Sequence, residues 1–233
     1  MAKPVQLTWL TGAQAIRLHD AGLRPPRGPF AYALVCDVRD PALAALANLA
    51  LTDADLADER APSASARTHF RARRSLLRAL AAAALGVNPA SVRIAYDSDG
   101  APRVDGLPAF VSVSSRGPLA ALAVASSPLG IDLEPFDARA EPVDAVLHPR
   151  EQAMLAELVS TARARAFLRI WTAKEAYLKA LGRGFKRDPA TIAATCEAAQ
   201  FSIDDGGPAP LPVATFAPPM GLGDLIVACA VTA

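Results

Sequence analysis

Cysteine is scarce: the 233 residues hold three, Cys36, Cys196 and Cys229. They are odd in number and far apart. No CxxC pair and no Cys/His metal spacing occurs, which argues against a zinc module or a disulfide framework. Buried thiols in a reducing compartment are the expectation. Histidine is equally scarce. His19 and His69 have no carboxylate or nucleophile partner close in sequence, and His148 precedes Pro149 at an expected helix start, so all three are read as structural. Net charge is nearly absent: 24 Lys and Arg against 23 Asp and Glu leave +1. No bulk field therefore draws the chain to nucleic acid or to an anionic membrane, and any anion site has to be built locally. Long apolar runs are missing too. The longest, from Ala79 to Val87, is far short of a membrane span. The first residues, Met1-Ala2-Lys3-Pro4, lack the apolar stretch of a signal peptide. The expectation is a soluble cytoplasmic protein with no nucleic-acid or membrane partner.

What is present is a hydrophobic fraction of 52% with 20% charged residues, enough for a sizeable core. Val5–Leu10 and Ala31–Val38 have strand character, with a Pro/Gly-rich loop over 24–29 between them. Pro41 opens a short Ala/Leu helix, and a long helix is predicted from about Arg67 to Leu85, closed by Gly86. Val92–Tyr96 reads as a strand before the turn cluster 97–100. Val111–Val113 and Leu119–Ala125 bracket a turn over Ser114–Pro118 as a hairpin, and Ile131–Glu134 follows as a strand. His148–Val159 and Ala164–Leu181 are predicted helices; Thr195–Ile203 and Leu225–Val231 are predicted strands on either side of a long loop over 206–223. The order describes an α+β chain in two halves meeting near Ser126–Gly130, divided here as 1–126 and 127–233.

Three features carry chemistry. In Gly130-Ile131-Asp132-Leu133-Glu134, strand alternation puts Asp132 and Glu134 on one face and Ile131 and Leu133 on the core side. Adjacent carboxylates repel unless a cation lies between them, and hard oxygen donors suit Mg²⁺. The competing reading is a solvated acidic face. In the run from Trp171 to Gly182, Glu175 and Lys179 share a helix face. They form a surface ion pair or, alternatively, a third metal ligand and a phosphate contact. Upstream, Arg67, Arg71, Arg74 and Arg78 recur at helical spacing within a basic cluster that also holds Arg73. They form either a solvated stripe or a local cradle for a phosphorylated nucleotide.

Together, and in this order, these features resemble the longer, surfactin-synthetase-activating type of 4′-phosphopantetheinyl transferase. Gly130–Glu134 matches G-[IV]-D-x-E, and Trp171–Gly182 matches W-[ST]-x-K-E-[AS]-x-x-K-x-x-G, both without mismatch. Leu147-His148-Pro149-Arg150-Glu151 meets F-[ST]-x-x-E in part, and Arg67–Arg78 matches an R-x-x-[FL]-x-x-x-R-x-x-L-R helix. The resemblance runs from about residue 60 to 190. It implies a pseudo-dimeric fold of two similar α/β halves in a monomer, with coenzyme A and the metal at the cleft between them. It implies that Asp132, Glu134 and Glu175 hold Mg²⁺, that Lys179 and Lys174 contact phosphates, and that Arg67 and Arg74 serve the nucleotide end. The transferred group would go to a serine of an apo acyl or peptidyl carrier protein, and 3′,5′-ADP would leave. Glu151 and Glu175 both qualify as the base.

Two positions depart from the family pattern. Gly100-Ala101-Pro102 replaces G-K-P, so a phosphate-binding lysine is absent. Val111-Ser112-Val113-Ser114-Ser115-Arg116 replaces F-[NS]-[LIV]-S-H-[ST], so Ser114 is kept and Ser115 stands where histidine is usual. Both departures fall on coenzyme A binding, and Arg116, beside Ser115, is the expected replacement charge. They also leave room for a non-catalytic protein that binds coenzyme A or a carrier on the same fold. A Mg²⁺-dependent phosphohydrolase or nucleotidyl transferase is a third reading, resting on the D-x-E pair and the basic stripe alone.

Overall fold

The computed structural model describes residues 7–20, 28–49, 51–57, 59, 63–98, 100–182, 187–197, 200–209, 211–216 and 222–232. The chain divides into two compact units, Met1–Pro128 (with Ala233) and Leu129–Thr232, where the sequence suggested a boundary after residue 126. Each unit packs one long helix on a sheet, and each has its own apolar core. The fold is α+β, as expected.

In the first unit, β1 (Leu7–Leu10) pairs parallel with β2 (Ala31–Asp37), and α1 (Gly12–Asp20) lies between them in sequence. Pro41–Leu43 forms a 3₁₀ turn, followed by the short helices α2 (Ala44–Ala47) and α3 (Asp53–Ala57). The long helix is α4 (Ala64–Leu85). Ser63 caps its start by accepting from the Ala66 N–H, and Gly86 ends it with φ 66°, a left-handed turn that suits glycine. Then come β3 (Ile94–Tyr96), β4 (Pro102–Val104), β5 (Phe110–Arg116) and β6 (Leu119–Ala125). The sheet order is β1-β2-β6-β5-β4-β3. The β5–β6 hairpin is tighter than expected. Its strands continue to Arg116 and from Leu119, leaving Gly117-Pro118 as the turn, with Gly117 at φ 59°. Leu76, Leu77 and Leu80 of α4 pack in one core with Val111, Leu122 and Val124.

The second unit has β7 (Leu129–Pro135), α5 (Pro149–Ala156), α6 (Ser160–Ala180), β8 (Ala193–Glu197), β9 (Gln200–Asp204), β10 (Leu211–Phe216) and β11 (Leu225–Val231). All strand pairs are antiparallel, in the order β7-β11-β10-β9-β8. Helix α6 lies on β7 and β11, and Ala173, Ala176 and Ala180 are buried in that core with Ala228 and Ala230 of β11. Small side chains allow close approach. The approach is closest at Gly130, where a Cβ would lie 2.0 Å from the Ala176 carbonyl oxygen and 2.6 Å from the Lys179 Cβ.

The segment read as one strand over Thr195–Ile203 is the β8–β9 pair, and the expected loop over 206–223 contains β10. Residues 5–6 of the first expected strand, residues 24–27 of the first loop and the side chain of Cys196 lie outside the described residues. Cys36 and Cys229 are buried free thiols. Burial pushes both up to about 12, with Asp37 and Asp40 adding to the effect at Cys36. Among the described residues, no helix is long and apolar enough to cross a membrane.

Candidate active site

Gly130, Asp132 and Glu134 share the face of β7 that α6 covers, while Ile131 and Leu133 are fully buried on the opposite face. The acidic pair is therefore not on a solvated strand face. Asp132 is 2% exposed, and the Lys179 ammonium donates to its Oδ1 at 2.6 Å and to the Ile131 carbonyl at 3.2 Å. Glu134, one pleat further along, is half-buried. Along α6, Trp171, Glu175 and Lys179 are half-buried and recur every four residues, between fully buried positions. Gly130 permits the close approach of α6 to β7. The last member of the stripe, Lys179, meets Asp132.

Among the described residues, no three His, Cys, Asp or Glu side chains are gathered as a metal-binding group. The sequence expectation of three carboxylates converging on one point thus takes another form here: a pair on β7, a lysine on one of them, and Glu175 one turn earlier on α6. Two carboxylates, completed by phosphate oxygens and water, match the usual composition of a protein-bound Mg²⁺. The donor chemistry fits that ion arriving with a phosphorylated substrate.

Glu151 and Lys174 are placed otherwise than expected. Lys174 neighbours Glu175 in sequence but points inward, with its side chain 0% exposed against 2% for Glu151. Its ammonium donates to Glu151 Oε2 at 2.5 Å, to the Val146 carbonyl at 2.9 Å and to the Pro189 carbonyl at 3.0 Å. An ammonium has three protons, so none is left for a phosphate. Glu151 also accepts from the Ala194 N–H at 2.6 Å and, completing a capping box, from the His148 N–H at 2.8 Å. The pair joins α5, α6, β8 and their flanking turns, and is closed to a macromolecular substrate. Burial pushes the Lys174 ammonium down, and Glu151 opposes that. His148 accepts from the Arg150 N–H at the start of α5, a capping role.

The basic stripe on α4 is largely consumed by ion pairs. Arg74 and Arg78 are buried against Asp55, with N–O separations of 2.9 and 3.0 Å. Arg67 and Arg71 are half-exposed beside Glu59, at 3.9 and 2.8 Å. Arg74 also lies under the Tyr96 ring, 4.9 Å from its centroid. It lines a cleft of about 120 Å³ together with Arg73, Phe70, Leu77 and Tyr96, closed on the strand side by Val113, Ser114 and Ser115 of β5. The structure thus brings Arg74, Ser114 and Ser115 together. Arg67 and Arg116 are not among the cleft's lining residues, and Arg116, exposed, donates to the Ser115 carbonyl at 3.1 Å. From sequence, Arg73 lies in the basic cluster and Tyr96 in a strand, and neither is assigned a site role. Arg73 is off the stripe, and Tyr96 comes from a separate strand.

A model of the 4′-phosphopantetheinyl transferase superfamily matches residues 128–211. The 4′-phosphopantetheinyl transferase HetI of Nostoc sp. (strain PCC 7120 / SAG 25.82 / UTEX 2576) is 36% identical to this chain over 130 residues, which cover 52% of this chain and 54% of HetI. The chain thus spans about half the length of this curated relative. The matched residues contain both carboxylates of β7, Glu175 and Lys179.

Proposed function

We propose, from the premise that the chain belongs to the 4′-phosphopantetheinyl transferase superfamily, that it moves the phosphopantetheine arm of coenzyme A onto a serine of an apo acyl or peptidyl carrier protein. The observation that carries this reading is the α6-covered acidic pair of β7 with Lys179 seated on it. We further take the protein to be of the long, surfactin-synthetase-activating type, cytoplasmic and monomeric, with Mg²⁺ as its metal.

The serine hydroxyl attacks the phosphorus bearing the pantetheine arm. The bridging P–O bond breaks, and 3′,5′-ADP leaves with the bonding pair. Asp132 and Glu134 would hold a divalent cation, whose chemistry is to neutralise charge on the pyrophosphate as that bond breaks, with Glu175 one turn before Lys179 on α6 and outside that pair. Lys179 adds a second positive charge at the same place, and positioning with electrostatics supplies most of the rate. Of the two carboxylates that qualify as base from the sequence, Glu151 is closed by burial and three hydrogen bonds. Glu175, half-buried on the stripe, is left to take the serine proton. The cleft of the first unit, with Ser114, Ser115 and Arg74, binds coenzyme A.

The test is intact mass of a panel of apo carriers after incubation with the protein, coenzyme A and Mg²⁺. Gain of one phosphopantetheine, abolished by EDTA and by Asp132→Ala, is expected. Coenzyme A binding without any gain would establish the non-catalytic alternative that Ala101 and Ser115 leave open.

A further inference from the structure

Resting on the transferase reading, we propose that Arg73, and not Arg116, supplies the positive charge that Ala101 and Ser115 do not, by binding a phosphate of coenzyme A in the α4–β5 cleft. Arg73 lines that cleft beside Ser114 and Ser115. The other motif-helix arginines are committed: Arg74 and Arg78 to Asp55, Arg67 and Arg71 to Glu59. Arg73 is half-buried, and no carboxylate among the described residues pairs with it. Its hydrogen bond is a long one, 3.4 Å to the Gly117 carbonyl at the β5–β6 turn.

A half-buried cation without a counter-charge is costly, and an anion entering the cleft relieves that cost. Burial already draws the Arg73 guanidinium down from its ordinary value, against a smaller opposing effect from Tyr96. The two serine positions offer polar groups on the other wall, and the Tyr96 and Phe70 rings flank Arg74. A fork-shaped guanidinium with free donors is the side chain suited to bidentate phosphate recognition. Position 73 lies outside the family's arginine pattern, so this chain carries its replacement charge one helical step from where the pattern places arginine. Arg116, next in sequence to Ser115, is turned to solvent and is not among the cleft's lining residues.

The test is steady-state transfer kinetics and calorimetric coenzyme A binding for wild type, Arg73→Met, Arg73→Lys, Arg116→Met and the charge-matched control Arg39→Met. Arg73→Met is expected to raise the KM for coenzyme A about tenfold or more with kcat little changed, Arg73→Lys to recover part of the loss, and Arg39→Met to match wild type. A KM within about twofold of wild type in a folded Arg73→Met, or the loss appearing in Arg116→Met instead, overturns the proposal. If wild type transfers to no carrier, the transferase reading falls by itself. Calorimetric weakening in Arg73→Met would then still sustain the phosphate site.

Discussion

Lys174 and Glu175 are chain neighbours with opposite environments, and the proposed base rests on that difference. One helical step turns Lys174 into the core against Glu151, while Glu175 stays half-buried on the Trp171–Lys179 stripe. Removing one partner of a buried pair costs about 3–5 kcal/mol, because the other charge is left uncompensated. Glu151→Gln and Lys174→Met should each lose that much by urea unfolding, and the double variant Glu151→Leu/Lys174→Met should lose clearly less than their sum. Additive losses would dissolve the pair. The pH dependence has a fixed sign. Burial lowers Lys174 in the folded chain, so the unfolded chain binds more protons in the window above that lowered value. Stability then rises with pH, and Glu151→Gln, which removes the opposing effect, should regain stability relative to wild type as pH rises toward the ordinary lysine value. A relative loss over that range would contradict the assignment. The buried thiols give a further check. Cys36 and Cys229, held near 12, should resist iodoacetamide at neutral pH until the protein is unfolded. Rapid native alkylation at either would show that its burial is wrong.

At the scale of elements, the site depends on how closely α6 sits on β7, and Gly130 sets that distance. Any Cβ there meets the α6 backbone, at 2.0 Å from Ala176 O and 2.5 Å from Ala180 N. Neither backbone atom can yield as a flexible side chain would. Gly130→Ala should cost at least about 3 kcal/mol, seen as a lowered unfolding midpoint or insoluble protein. An unchanged midpoint would mean that the two elements are not packed this way. Much of this was legible in sequence. Leu225–Val231 has the bounds its apolar run suggests, and Gly86 ends α4 as expected. Prolines hid β10: Pro212 discourages a strand reading, yet it is only the second residue of that strand. The roles of Glu151, Arg73 and Arg74 were not legible, because they are fixed by partners far along the chain. Ala194 lies 43 residues from Glu151, and Arg73 reaches Gly117 across 44. Periodicity reports which residues share a face, not which distant group that face meets.

For the whole molecule, near-zero net charge means that the proposed binding of coenzyme A would have to rest on local arrangement, for which Leu129–Thr232 offers an acidic pair and Met1–Pro128 an arginine-lined cleft. The superfamily match falls on the first of these, within residues 128–211. The most direct test of a transferase centred on β7 and α6 is the initial rate of 3′,5′-ADP release with an apo carrier, coenzyme A and Mg²⁺, compared across wild type, Asp132→Asn, Glu134→Gln, Glu175→Gln and the folded double variant Glu151→Leu/Lys174→Met. A fall of at least about 100-fold in the three single variants, with the double variant keeping measurable turnover and an unchanged acidic limb of its pH profile, is the expected result. Full activity in Asp132→Asn, or loss of that limb only when Glu151 is replaced, would contradict it and return the base to Glu151.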